Sequence, residues 1–161
     1  MVLPSERLAK VTDVIREATI AGEQPRLITA VAPVLVRDID VIHPSKLHVD
    51  LEAAGLGRRF GWIAANTLEA VRRETPTAPA SWKKLYARAT VVLESLVSFV
   101  TPENPDQPLP LDILDASIRR KKTLDDVVAS RSSLSRRWGI ASSLQPEDFA
   151  RALRGARDAH R

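Results

Sequence analysis

The stretch from Trp82 to Val100, WKKLYARATVVLESLVSFV, keeps a helical rhythm of apolar side chains without interruption, and it constrains the fold more than any other part of the chain. Leu85, Ala89, Val92, Leu96 and Val100 recur at the spacing of one helix face, and Trp82, Tyr86, Leu93 and Val97 widen it. Only Lys83, Lys84, Arg88, Glu94 and Ser98 form a polar strip. A helix apolar over most of its circumference needs neighbours on most sides. The chain is therefore expected to be all-α, a compact bundle of about six to eight helices around a central buried helix, Trp82 to Val100.

The punctuation of the remaining chain supplies those neighbours. Ser5 reads as the N-cap of a first helix ending near Gly22, with Leu8, Val11, Val14, Ile15 and Ala18 inward. Pro25 opens a second, with Leu27, Ile28, Val31, Leu35 and Ile39 inward, and Pro33 is expected to kink or split it around Ala32. Val34 to Ile42 could alternatively be a short strand, but nothing else in the sequence offers it a pairing partner. Ser45 caps a short helix over Leu47 to Ala54, closed by Gly55 and Gly57. Arg58 to Glu74 follows, with Phe60, Ile63, Ala64, Thr67, Leu68 and Val71 inward and Arg59, Asn66, Glu69, Arg72 and Arg73 outward.

The segment Thr101 to Pro110, TPENPDQPLP, carries four prolines in ten residues, which forbids regular structure and leaves the backbone stiff and extended. It divides the chain into a helical core domain over 1–100, a Pro-rich linker over 101–110 and a basic C-terminal helical subdomain over 111–161. In that subdomain Leu111, Ile113, Leu114 and Ile118 suggest one helix. Thr123 caps another that ends at Gly139, and Pro146 begins a last helix with Arg151, Arg154 and Arg157 facing out.

Charge sharpens the same division. Up to Ala80, ten lysines and arginines face ten acids, and beyond it fourteen face ten, so the whole net charge of +4 lies in the C-terminal half. An anionic partner is expected to be met there. Cysteine is absent, which removes disulfides, thiolate nucleophiles and cysteine metal sites and fits a cytoplasmic setting. The opening MVLPSERLAK lacks the apolar run of a secretory leader, and no apolar run approaches the roughly 20 residues needed to cross a bilayer.

Thr123 to Ile140, TLDDVVASRSSLSRRWGI, resembles the recognition helix of helix-turn-helix repressors, where small hydroxylated residues approach phosphates and arginines reach bases or backbone. Arg131, Ser132, Ser133, Ser135, Arg136 and Arg137 are the candidate nucleic-acid contacts, with Arg119, Arg120, Lys121 and Lys122 clamping the adjacent backbone. Between Leu124 and Leu134 the interval is about one helical turn too short for both helices of that motif, so no family is assigned. The bland alternative is one amphipathic helix with an arginine-bearing solvated face. Lys46 to Asn66 also has helix, glycine turn and helix, but Phe60, Trp62 and Ile63 give it an apolar face, so it reads as a hairpin in the core.

Other chemistry finds little foothold. His43 and His48 straddle Pro44, His160 stands alone, and Asp125-Asp126 are helix neighbours about 100° apart. Phosphate loops of GxGxxG or P-loop type are missing. The expectations are therefore no catalytic residues, no cofactor, no metal and no small-molecule substrate.

Two short sequences echo each other, Leu56-Gly-Arg-Arg-Phe-Gly-Trp-Ile-Ala and Leu134-Ser-Arg-Arg-Trp-Gly-Ile-Ala; with diverging flanks, coincidence is favoured over duplication. Trp62, Trp82 and Trp138 each lie near a basic residue, a composition shared by interfaces and core rims. The function expected from sequence is a non-enzymatic DNA-binding regulator, repressor-like or antitoxin-like, with duplex DNA and a second copy of itself as the candidate partners. A helical structural or adaptor subunit with a protein partner is the alternative.

Overall fold

The computed structural model describes residues 4–22, 24–102, 109–114 and 121–159. Its α-helices are α1 Pro4–Ile20, α2 Pro25–Arg37, α3 Pro44–Ala53, α4 Gly57–Glu74, α5 Ala80–Val100, α6 Lys121–Ser130, α7 Ser133–Trp138 and α8 Pro146–Ala159. A single 3₁₀ turn, Thr75–Thr77, joins α4 to α5, and two-residue strands β1 Asp112–Ile113 and β2 Ile140–Ala141 pair in parallel. The all-α bundle expected from periodicity is the observed architecture. Among the described residues no helix is long and apolar enough to cross a membrane.

Its centre is α4, not α5. Thirteen of the eighteen residues of α4 are buried, including every one from Phe60 to Leu68. In α5 only Tyr86, Ala89, Leu93 and Leu96 are buried, while Val91 is 68% and Phe99 87% exposed. The reason lies in side-chain size. Gly61, Ala64, Ala65, Thr67 and Ala70 score low on hydropathy but let α3, α5, α7 and α8 approach α4 closely. Asn66, expected outward, is fully buried and donates its amide to the Trp62 carbonyl at 3.0 Å.

Other departures have local causes. α2 runs unbroken through Pro33 because Ile28, Val31, Ala32, Leu35 and Val36 are all buried, and that packing outweighs a helix-interior proline cost of about 3 kcal/mol. Val14 and Leu27, expected inward, stay exposed. At 112–113 the chain is a strand rather than helix: the Asp112 amide donates to Gly139 O at 2.9 Å, and Arg59 grips the Asp112 carboxylate through Nε and Nη2 at 2.9 and 2.8 Å. The single helix expected from Thr123 to Gly139 is two, because the Ser132 hydroxyl accepts from the Ser135 amide at 3.0 Å and caps a new helix. That helix stops at Gly139, whose φ of +66° suits glycine.

One hydrophobic cluster contains Ile28 and Leu51 together with Trp138, Phe149 and Leu153, so the segment beyond the prolines shares its core with the first hundred residues. The linker's residues 103–108 lie outside the described ones. The arginines of α8 divide. Arg151 stays outward beside Asp148 as expected, but Arg157 is buried and Arg154 turns to Glu74 and Glu147, correcting the outward placement expected for those two.

At this point α4, α5 and α8 bring buried polar side chains together. Glu74, Tyr86 and Arg157 are all buried. Burial pushes the Tyr86 hydroxyl above its ordinary pKa of 10.0, with the nearby Arg157 charge pulling the other way. Tyr86 is the only tyrosine, so absorbance at 295 nm follows it alone. A raised folded pKa stabilises the fold fully below pH 10 and loses that contribution as pH rises through the folded value. The ionisation midpoint of the native protein is expected above that of the same protein in denaturant, and coincident midpoints would show the hydroxyl to be solvated.

Candidate nucleic-acid interface

α7 is seated by contacts that only small or polar residues allow. Trp138 packs against α4 where Gly61 has no side chain; a Cβ there would stand 2.4 Å from its ring. The Trp62 indole donates to the Ser135 hydroxyl at 3.1 Å, and the Ser132 hydroxyl donates to the same oxygen at 3.0 Å. Arg58 donates to the carbonyls of Trp138 and Gly139 at the end of α7 and to Pro110 O at 2.5 Å. With one face held this way, α7 presents the other to solvent.

That outer face carries part of the expected site. Ser133, Arg136 and Arg137 are exposed, and Arg131, in the turn before α7, is half-buried. Ser135 is fully buried in the Trp62 and Ser132 hydrogen bonds, so it positions α7 and cannot touch a ligand. Arg119 and Arg120 lie outside the described residues, as does the side chain of Lys121; Lys122 is exposed on α6. α6 also exposes Asp125 and Asp126, so the described positive surface centres on Arg131, Arg136 and Arg137.

The electrostatics there are unbalanced. Among the described residues no ion pair involves Arg131, Arg136 or Arg137, whereas Arg59, Arg72, Arg73, Arg88, Arg151, Arg154 and Arg157 all pair with carboxylates of the chain itself. Burial, and then the charge of neighbouring Arg136, lowers the pKa of Arg131 below the ordinary arginine value. Its Nη1 reaches only the Ile140 carbonyl at 3.4 Å, and its buried Nε has no partner among the described residues. Like charges near one another with no counter-charge of the chain's own favour a bound anion.

The two echoing sequences meet here and behave oppositely. In α4, Arg58 and Arg59 turn inward to carbonyls and to Asp112, and the helix continues through Gly61. In α7, Arg136 and Arg137 face solvent, and the helix ends at Gly139. The same Arg-Arg-aromatic-Gly order is thus structural in one place and solvent-facing in the other. The Lys46 to Asn66 segment is a core hairpin, with Gly55 at φ +76° in its turn and Phe60, Trp62 and Ile63 fully buried. His43 precedes α3, and His48 packs near Phe60 with ring centroids 6.4 Å apart. Among the described residues no group of three His, Cys, Asp or Glu side chains could hold a metal. No family model, curated protein or solved structure matches this chain.

Proposed function

We propose that this protein is a non-catalytic DNA-binding regulator, of repressor or antitoxin type, that grips duplex phosphate through Arg131, Arg136 and Arg137, with Ser133 beside them and Lys122 at the margin. The observation that carries this reading is that half-buried Arg131 and exposed Arg136 and Arg137 lie on one outer face with no carboxylate paired to any of them among the described residues. Phosphate oxygens supply the missing charge, and the rigid seat of α7 on Trp138 holds the cations in register.

Binding to non-specific duplex DNA is expected to weaken steeply with salt, with a log–log slope near −3 for about three phosphate contacts. The Arg136→Ala/Arg137→Ala variant is expected to flatten that slope by about 2 and to leave the thermal midpoint unchanged. Absence of binding at low ionic strength would remove this function.

One observation favours the adaptor alternative. α3 and α5 border an open groove of about 590 Å³ beside Val49 and Phe99, both strongly exposed, which suits a protein partner. Failure of DNA binding with retention of fold would leave that alternative standing.

A further inference from the structure

α1 and α2 leave between them a second groove, of about 490 Å³, lined by Arg7, Lys10, Val11, Val14, Val34 and Arg37. Its floor is apolar. Val11 is buried and Val34 half-buried, and Val14 stays 45% exposed although it falls on the apolar rhythm of α1. The volume lies within the range of about 300 to 1,000 Å³ usual for small-molecule sites.

Three cations surround that floor. Arg37 donates to Asp38 Oδ2 through Nε and Nη2 at 3.0 and 2.9 Å, and Arg7 donates to the other oxygen, Oδ1. The Asp38 side chain is fully buried, while both arginines are about half exposed, at 54%. One buried carboxylate therefore fixes two guanidinium groups at the groove and neutralises only one of them. Lys10 adds a further charge and takes part in no ion pair among the described residues. Joining the end of α2 to α1 needs a single arginine; the doubled cation over valines matches something apolar with one negative end.

The shape favours a small molecule over a docked helix. α2 contributes only the turn from Val34 to Arg37, about 5 Å of wall, against about 10 Å from Arg7 to Val14 on α1. A helix laid along α1 would find an apolar wall over only half its track. We propose that the groove binds a small amphiphilic monoanion of the medium-chain fatty-acid class, its alkyl chain on the valines and its carboxylate among Arg7, Lys10 and Arg37.

Titration calorimetry of the full chain with octanoate tests this, with octanol and octylamine as neutral and cationic probes of matched length. Saturable one-to-one octanoate binding is expected, about tenfold or more tighter than octanol, with octylamine not bound. Lys10 is exposed and outside the Asp38 ion pairs, so Lys10→Glu keeps the fold and is expected to weaken octanoate about tenfold or more. Val14→Asp is expected to abolish binding with an unchanged circular-dichroism spectrum. Equal affinity for octanol, uptake at many sites without saturation, or an unaffected Lys10→Glu protein would each overturn the proposal. It does not rest on nucleic-acid binding: the Arg136→Ala/Arg137→Ala protein is expected to bind octanoate as the parent does.

Discussion

Replacing Gly61 by valine is expected to remove about 3 kcal/mol or more of stability, among the largest losses any single change in this chain would cause. Glycine in a helix interior is ordinarily about 1 kcal/mol worse than alanine, so on propensity alone even Gly61→Ala should stabilise α4. The tertiary contact reverses that sign. A Cβ at position 61 would stand 2.4 and 2.6 Å from Trp138 Cζ3 and Cη2, and both groups sit in the core, so the ring has to leave its seat. Without that anchor the Trp62–Ser135 bond and the Arg58 bonds to the end of α7 lose their geometry as well. Urea unfolding read by tryptophan emission checks this. The Gly61→Val midpoint should fall, and native emission should shift red as Trp138 becomes solvated. Trp138→Ala should cost about 3 to 5 kcal/mol, and the double variant clearly less than the sum, because both changes break one contact. A stabilised Gly61→Ala protein would show that the ring moves aside at little cost.

Glu74→Ala is expected to cost about 3 to 5 kcal/mol. Glu74 is 4% exposed and faces two arginines of α8, with Arg154 Nη1 at 2.5 Å from one oxygen and Arg157 Nη1 at 3.6 Å from the other. Arg154 has a second carboxylate, Glu147, and is partly solvated, so it survives the change. Arg157 is buried and, among the described residues, pairs with no other carboxylate, so its charge would be left uncompensated in the core. The loss comes from that stranded charge and not from a large net value of the pair, since desolvating both ions already offsets much of their attraction. Glu74→Met/Arg157→Met is therefore expected to recover most of the loss, and a double-mutant cycle on unfolding free energies should give strong coupling. A Glu74→Ala loss under about 1 kcal/mol would mean that the end of α8 frays and releases Arg157 to water.

The internal contrast between Arg58-Arg59 and Arg136-Arg137 shows where reading a sequence stops. Both pairs sit in the same local order, and nothing within either stretch marks one as buried structure and the other as free charge. The difference is made by Asp112, Pro110 and the carbonyls of Trp138 and Gly139, which the fold carries to the start of α4 from more than 50 residues away. The same holds for Arg157, whose place on α8 follows the outward pattern until Glu74, distant in sequence, draws it inside.

Helix existence and most helix ends were legible in the order of residues, because three-and-four apolar spacing, prolines at first turns and glycine stops act over one or two turns of chain. So was the turn at Gly55 and the core character of Phe60, Trp62 and Ile63. Which helix would be central was decided only in three dimensions: burial depends on how many neighbours can come close, and the small residues of α4 admit more of them than the bulky ones of α5. Tertiary structure likewise chose which cations stay free and brought Asp38 beneath Arg7 and Arg37 to shape the groove on α1, since charge pairing and concavity arise between elements and leave no period in the chain.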